Sequence, residues 1–247
     1  MPPCRAACPA RTDVRRYLSL AVEGRYAEGF AVAYEPNPFA ASCGRICNHP
    51  CESACRRASV DEPLAISRLK RFLFDAAFAD ADVGPAGSTA SLTGVVAHTG
   101  SAGKRIAVVG AGPAGLAAAA DLARAGCDVS VHEAANEGGG ALRWGVPAYR
   151  LPRAVLAREI AWITNLGVRL ALEAPVSDMS ALTEASDAVL VAVGASQPVP
   201  LGIRGEELEG VMPALGFLRS VARGETPALG RHAVVVGGVT SDGPAVV

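Results

Sequence analysis

Six of the seven cysteines of this chain lie within its first 55 residues, and their number and spacing indicate metal or redox chemistry. These six are Cys4, Cys8, Cys43, Cys47, Cys51 and Cys55. No apolar leader segment precedes them, so we expect a reducing, cytoplasmic location in which disulfides are rare. The seventh cysteine, Cys127, falls between a predicted helix and a predicted strand and is expected to pack in a core.

The last four of these cysteines follow one another at intervals of four residues, which keeps neighbours on one helical face. An unbroken helix would nevertheless hold Cys43 and Cys55 about 18 Å apart, too far for one compact site. We therefore expect Gly44 and Pro50 to break the helix, so that the thiolates surround one cluster or serve two. Sites made of thiolates alone suit zinc or iron–sulfur clusters, and a zinc-stapled helical module is the alternative hypothesis.

A second group of residues has the spacing of a dinucleotide-binding turn. These residues are Gly110-Ala111-Gly112-Pro113-Ala114-Gly115. It follows a predicted strand at 106–109 and opens a predicted helix at 113–125, which is the context that such a turn requires. The first glycine allows the tight turn, the second the approach of a pyrophosphate, and the third close packing of helix on strand. Glu133, 18 residues after the last glycine, ends the next predicted strand and suits a ribose with a free 2′-hydroxyl, as in FAD or NAD. The alternative is a glycine turn that only packs.

The elements that must position these residues divide the chain into four parts. We predict short helices over 1–80, a linker over 81–103, a Rossmann-type domain over 104–200 and the start of a further domain over 201–247. Further helices are predicted at 13–23, 26–33, 64–79 and 152–166, and further strands at 128–132, 188–193 and 233–236. The βαβ opening after the linker predicts a parallel α/β sheet.

Composition and charge exclude several classes of function. The formal net charge is −1 without a block of like charges, and aromatic residues make up 5% of the chain. Both observations argue against a nucleic-acid partner, and the charge also argues against an anionic membrane surface. The sequence has no run of about 18 apolar residues, so no membrane-spanning helix is expected.

Two sets of short motifs, in a fixed order, resemble those of a known family. The first set comprises Cys4 through Cys8-Pro9, Asn37-Pro38-Phe39, Cys43-Gly44-Arg45-Ile46-Cys47, Pro50-Cys51-Glu52, Cys55-Arg56-Arg57, Asp61-Glu62-Pro63 and Leu69-Lys70-Arg71-Phe72. The second comprises Gly139-Gly140-Ala141-Leu142-Arg143-Trp144-Gly145-Val146-Pro147 and Tyr149-Arg150-Leu151-Pro152. With these motifs the chain resembles the FAD and iron–sulfur electron-transfer proteins typified by the small subunit of glutamate synthase. The amino-terminal part of dihydropyrimidine dehydrogenase belongs to the same group.

The resemblance implies an α-helical iron–sulfur module followed by an incomplete α/β Rossmann-type FAD domain of the two-dinucleotide-binding-domain kind. Electrons from NAD(P)H would pass through FAD and one or two [4Fe–4S] clusters to a partner subunit or domain. The resemblance implies that FAD is bound by Gly110, Gly112, Ala114, Gly115, Glu133, Gly139, Gly140, Ala141, Leu142, Arg150 and Val176. It also implies one cluster on Cys8, Cys47 and Cys51, and a second site on Cys4, Cys43 and Cys55. Lys70 stands where some members have a carboxylate or amide ligand.

The chain departs from this pattern near its end. The NADPH-binding unit would begin at Val234-Val235-Val236-Gly237-Gly238, and only nine residues follow. Because a βαβ unit needs about 30 residues, we expect the NADPH site to be incomplete and the chain not to oxidise NADPH by itself. The remaining alternatives are a non-catalytic remnant and a zinc-stapled nucleotide-binding module.

Overall fold

The computed structural model describes residues 1–79 and 103–237, so that residues 238–247 and residues 80–102, which include all but the last residue of the linker predicted at 81–103, lie outside it. The first range is helical, with α1 (Pro3–Ala7), α2 (Val14–Val22), α3 (Tyr26–Tyr34), α4 (Ala40–Ile46), α5 (Pro50–Ser53), a 3-10 turn (Arg56–Ser59) and α6 (Ile66–Ala79). The helices predicted at 13–23, 26–33 and 64–79 correspond to α2, α3 and α6.

Aromatic side chains form the core between α2, α3 and α6. Tyr17 and Phe74 are fully buried, and Phe30 and Tyr34 lie beside them on one face of α3. The rings of Phe30 and Tyr34 stack with centroids 4.4 Å apart, and the ring of Phe74 meets Phe30 edge-on at 5.1 Å. Such pairs add about 0.5–1.5 kcal/mol each beyond the burial of their area, so this cluster holds the three longer helices together.

The break in the cysteine-rich segment lies between α4 and α5. The prediction of a break at Gly44 is wrong, because this residue lies inside α4. A Cβ atom there would lie 3.4 Å from the backbone of Arg71, which is an ordinary contact distance, so α4 and α6 approach closely at this point. The chain turns instead at Cys47–His49, where His49 has a φ of 46°, and α5 begins at Pro50.

The second described range is an α/β domain around a four-stranded sheet. Its elements are β1 (Arg105–Val109), α7 (Pro113–Arg124), β2 (Asp128–His132), α8 (Ala141–Trp144), α9 (Arg153–Asn165), β3 (Arg169–Ala171), α10 (Met179–Ala185), β4 (Ala188–Val191) and α11 (Ala214–Ala222). The strands pair in parallel in the order β3-β2-β1-β4, with Val108 beside Val131 and Leu190. The predicted fold, a helical module followed by a parallel α/β domain, is confirmed.

Two predicted strands differ from those observed. The strand expected at 188–193 ends at Val191, and residues 233–236 form no strand within the described ranges. Val234 is 87% exposed and is paired with none of the described strands, and a strand without a hydrogen-bonded neighbour does not form. Of the described helices, none combines the length and the apolar character needed to cross a membrane.

A buried carboxylate joins the helical part to the α/β domain. Glu159 of α9 is 0% exposed, and its Oε1 atom accepts hydrogen bonds from Tyr34 Oη at 3.0 Å, Ala41 N at 2.8 Å and Ser42 N at 3.1 Å. Its Oε2 atom accepts from Ser42 Oγ at 2.5 Å. Burial raises the pKa of Glu159 to about 7, and the hydrogen bonds from Ser42, Tyr34 and Ala41 oppose that rise.

A second contact lies beside this carboxylate. The guanidinium of Arg124, in α7, donates to the Glu35 carbonyl oxygen at 3.0 Å and stacks over the ring of Trp162 at 4.7 Å. The same tryptophan meets the ring of Tyr34 edge-on, with centroids 5.2 Å apart. The two parts of the chain therefore share a continuous packed interface.

We expect Glu159→Leu to lower the free energy of unfolding by roughly 3–5 kcal/mol, because each buried donor left without an acceptor costs about 1–3 kcal/mol. Urea unfolding followed by circular dichroism measures this loss. Glu184→Leu, at an exposed site in α10 of the same domain, is the control and should change the stability by less than about 0.5 kcal/mol. Equal stabilities of the two variants would contradict the role of Glu159.

The raised pKa of Glu159 also predicts a pH dependence. The folded chain holds this proton up to about pH 7, whereas the unfolded carboxyl loses it near its ordinary value of 4.5. The stability of the wild type relative to Glu159→Gln should therefore be highest below about pH 4.5 and fall by on the order of 2–3 kcal/mol as the pH rises through 7. Unfolding of both proteins at a series of pH values tests this, and a constant difference would contradict it.

Candidate cofactor sites

Four cysteines of the helical part line one cavity: Cys8, Cys43, Cys47 and Cys51. Cys8 directly follows α1, Cys43 lies in α4, Cys47 ends α4 and Cys51 lies in α5. The turn after α4 changes the direction of the chain, so that α5 does not continue along the axis of α4. Because the helix is broken here, the thiols of α4 and α5 are not held apart along one helix axis.

Charged side chains fix α4 and α5 on α6. Glu52, next to Cys51, accepts a hydrogen bond from Ser67 N in the first turn of α6 at 2.7 Å. In α4, Arg45 donates to the Ala41 carbonyl oxygen at 3.1 Å and forms an ion pair with Asp75. Both helices that carry cavity cysteines are therefore tied to the same neighbour.

Polar groups surround three of the four sulfur atoms. Asn37 Nδ2 donates to Cys43 Sγ at 3.3 Å, and the amide of His49 donates to Cys47 Sγ at 3.2 Å. Cys8 Sγ lies 3.7 Å from the hydroxyl oxygen of Thr12. Donors aimed at sulfur stabilise the thiolate, which is the form that binds metals.

The cavity thiols differ in acidity. Burial raises the pKa of Cys51 to about 11 and also raises the pKa of Cys43. Burial acts in the same direction on Cys8, but the hydrogen bonds with Thr12 and with the Ala10 backbone, together with the charge of Lys70, outweigh it, so the pKa of Cys8 lies below its ordinary value. Metal binding must release the protons of the less acidic thiols.

Lys70 of α6 lines the same cavity and is only 9% exposed. Its positive charge acts to lower the pKa of Cys8, Cys43 and Cys51. The two other candidate ligands, Cys4 and Cys55, are partly buried and are not among the residues that line this cavity. In residues 1–79 and 103–237, no three histidine, cysteine or acidic side chains form a site for a single metal ion.

The glycine turn of the α/β domain connects β1 to α7. Gly110 has a φ of 106°, and a Cβ atom there would lie 2.4 Å from the Ala192 carbonyl oxygen. A Cβ atom on Gly115 would lie 2.0 Å from the Gly110 carbonyl oxygen. Both positions therefore require glycine. α7 begins at Pro113, and no side chain caps its first turn, so its N–H groups are free for a pyrophosphate.

Glu133 directly follows β2 and is hydrogen-bonded to the glycine turn. Its Oε2 atom accepts from Ala111 N at 2.7 Å, and its Oε1 atom accepts from Ala135 N at 2.9 Å. These bonds fix the carboxylate beside the turn. Because each carboxylate oxygen has a second lone pair, Glu133 retains the capacity to accept from a ribose hydroxyl, and this role stays a prediction.

A second glycine pair faces the first turn. Gly139 N donates to the Ala111 carbonyl oxygen at 2.8 Å, and Gly140 has a φ of 50°. A Cβ atom on Gly140 would come within 2.7 Å of Gly112 Cα, so the two backbones touch. The structure thus brings the two predicted glycine segments together at the start of α7.

The remaining residues predicted to bind FAD lie in α7, in α8 and in the segments that follow α8 and β3. Ala114 lies in the first turn of α7, Ala141 and the buried Leu142 open α8, and Arg150 lies exposed before α9. Val176 is partly buried in an irregular segment after β3 rather than at a strand end. Sequence reasoning missed Arg143, which donates to the Gly138 carbonyl oxygen at 2.9 Å, and Arg153, which donates to the Leu142 carbonyl oxygen at 3.3 Å. The signal that could have identified these two arginines is their position shortly after the second glycine pair in the sequence.

The family described as pyridine nucleotide-disulphide oxidoreductase matches residues 104–241, more than half of the 247 residues. The chain belongs to this family. A second family, described as dihydropyrimidine dehydrogenase domain II with a 4Fe-4S cluster, matches residues 1–81. The resemblance drawn from the two motif sets is therefore confirmed.

The relatives of this chain include proteins that are named as enzyme subunits. The NADP(+)-dependent formate dehydrogenase subunit beta of Moorella thermoacetica is 39% identical over 253 residues, which cover 96% of this chain and 36% of that protein. The NADPH-Fe(3+) oxidoreductase subunit beta of Geobacter sulfurreducens is 35% identical and is covered to 35%. The glutamate synthase [NADPH] small chain of Escherichia coli is 32% identical and is covered to 45%. The chain thus spans about a third of the first two relatives.

The residues present fit the cofactors of the family, FAD and a [4Fe–4S] cluster. The uncapped start of α7 faces open space at Gly112, where a Cβ atom would meet only Gly140 among the described residues. That opening suits the close approach of a pyrophosphate. The four cavity thiols form the all-cysteine donor set that holds iron–sulfur clusters.

We expect Gly115→Ala to lower the affinity for FAD at least tenfold, or by about 1.4 kcal/mol, because the new methyl group displaces the glycine turn. Fluorescence titration of the FAD-depleted protein measures the affinity. Gly216→Ala, in α11 where a Cβ atom would meet no described atom, is the matched control and should bind FAD like the wild type. Unchanged affinity in Gly115→Ala would show that FAD does not depend on this turn.

Proposed function

We propose that this chain is the FAD- and iron–sulfur-binding part of an oxidoreductase that passes electrons from NAD(P)H to a partner subunit or domain. In this proposal FAD binds at the glycine turn, and a [4Fe–4S] cluster binds among the cavity cysteines. The names of the relatives, which are NADPH-linked oxidoreductase subunits, support an electron-accepting partner.

The observation that carries the proposal is that both sites belong to one packed unit. α4, which carries Cys43 and ends at Cys47, is hydrogen-bonded to Glu159 of α9. α9 in turn holds the segment that follows the second glycine pair, since Arg153 of α9 donates a hydrogen bond to the Leu142 carbonyl oxygen. A flavin and a cluster bound in this unit would keep a fixed relation to one another.

In this proposal the cofactors supply the redox chemistry, with FAD taking up a hydride and the cluster carrying single electrons. The chain binds and orients them. The start of α7 holds the pyrophosphate, Glu133 accepts from the ribose, and Arg150 is one of the further residues that contact FAD. The full FAD set is proposed to be Gly110, Gly112, Ala114, Gly115, Glu133, Gly139, Gly140, Ala141, Leu142, Arg150 and Val176.

The division of the chain is part of the same proposal. Residues 1–80 form the cluster-binding domain, 81–103 the linker, 104–200 the FAD domain and 201–247 the start of an NAD(P)H-binding domain. We also place the chain in the cytoplasm, a reducing compartment in which cysteines stay available as ligands of a cluster.

We expect the chain, purified without oxygen, to show flavin bands together with the broad visible absorption of an iron–sulfur cluster. Heat denaturation should release FAD and not a nicotinamide nucleotide. Two variants should separate the sites: Gly115→Ala loses flavin and keeps iron, whereas Cys47→Ser loses iron and keeps flavin.

Three outcomes would contradict the proposal. A colourless protein with bound zinc would favour the zinc-stapled module, and release of a nicotinamide would overturn the choice of FAD. Simultaneous loss of both cofactors in each variant, with an unchanged circular dichroism spectrum, would show that the two sites are not separate.

A further inference from the structure

We propose that Cys43 is the fourth ligand of the cluster held by the other three cavity cysteines, and that Lys70 supplies a compensating charge instead of a ligand. This inference rests on the proposed function in that it requires a cluster in the cavity. It changes the grouping implied by the family resemblance, in which Cys43 belongs to a second site with Cys4 and Cys55.

The first support is the position of Cys43. It lies one turn before Cys47 on α4, and residues four apart share a helical face. Both line the cavity, whereas Cys4 and Cys55 are not among its lining residues. Four thiolates complete a cubane cluster without any further protein group.

The second support is that hydrogen bonds fix both the backbone just before Cys43 and the sulfur atom of Cys43. Ala41 and Ser42, directly before it, are bonded to the buried carboxylate of Glu159. Asn37 Nδ2 donates to the sulfur atom itself at 3.3 Å. An amide donor on a ligating thiolate is the kind of outer contact that orients metal ligands.

The third support is the chemistry of Lys70. A charged lysine has three donors and no acceptor, so it cannot ligate iron while it is charged. Its side chain is buried at the cavity, and a buried charge is costly unless an opposite charge lies nearby. Four thiolates supply that opposite charge, which the iron–sulfide core offsets only in part.

A positive charge at this place has a measurable consequence. Reduction adds a negative charge to the cluster, and Lys70 stabilises the reduced form more than the oxidised form. The reduction potential of the cluster is therefore raised by Lys70, since net charge and hydrogen bonds to sulfur set such potentials.

The test is a set of single variants of the full chain, with iron, labile sulfide, bound FAD, the electron paramagnetic resonance (EPR) spectrum and the midpoint potential measured for each. Cys43→Ser and Cys43→Ala should retain FAD, which reports that the α/β domain is folded. We expect both to lose at least half of the iron bound by this cluster or to change its EPR spectrum, as Cys47→Ser does. Cys55→Ser should leave the spectrum of this cluster unchanged.

Lys70 is tested by a matched pair. Lys70→Met should lower the midpoint potential and keep the iron content and the EPR line shape, whereas Lys70→Arg should retain the wild-type potential. If Lys70→Met instead removes iron, Lys70 is a ligand and the proposal is overturned. An unchanged potential in Lys70→Met would overturn the assigned charge role.

The remaining outcomes separate the inference from the proposed function. If Cys43→Ser keeps the iron, spectrum and potential of the wild type while Cys47→Ser loses the cluster, the assignment of Cys43 fails and the proposed function stands. If the anaerobic wild type contains no iron, the proposed function fails and the ligand assignment fails with it.

Discussion

Four donors of the helical part converge on one carboxylate of the α/β domain, and the arrangement of α4 depends on this contact. The N-cap residue of α4, Phe39, makes no capping hydrogen bond through its side chain. Glu159 accepts instead from Ala41 N and Ser42 N in the first turn of the helix. A helix of seven residues does not form by its own propensity, so its stability comes from such tertiary contacts. The cap that an isolated helix would carry in its own sequence is here provided by a residue 117 positions away.

This arrangement connects the cavity cysteines with the nucleotide site through rigid elements. α4 carries Cys43 and is followed directly by Cys47, α9 carries Glu159, and Gly139 packs against Leu156 of the same α9. A site built on helices that are fixed at both ends holds its ligands in one geometry before a cofactor arrives.

Much of this could be predicted from the sequence, because it depends on local spacing. Gly110, Gly115 and Glu133 follow from the strand–turn–helix pattern, and the periodicity of apolar residues located α2, α3, α6 and α7. Of the two predicted breaks in the cysteine-rich segment, the one at Pro50 corresponds to the turn before α5, whereas the one at Gly44 is wrong because Gly44 lies inside α4.

Other features required the folded chain. A glutamate within an amphipathic helix is normally exposed, and nothing in the spacing around Glu159 marks it as buried. Pro50 indicates the turn at Cys47–His49, but the grouping of the cysteines around one cavity depends on packing between helices, which local spacing does not specify. The strand expected at 233–236 has the right composition, but strand formation needs a partner as well as a propensity.

The long sequence separation of the Glu159 contacts has a consequence for the order of events during synthesis. Its partners Tyr34 and Ala41 precede it by 125 and 118 residues, so they leave the ribosome well before α9 exists. Until then the first turn of α4 has no acceptor for its amides, and the cavity lacks its final shape. The proposed cluster site is therefore complete only after the α/β domain has been translated.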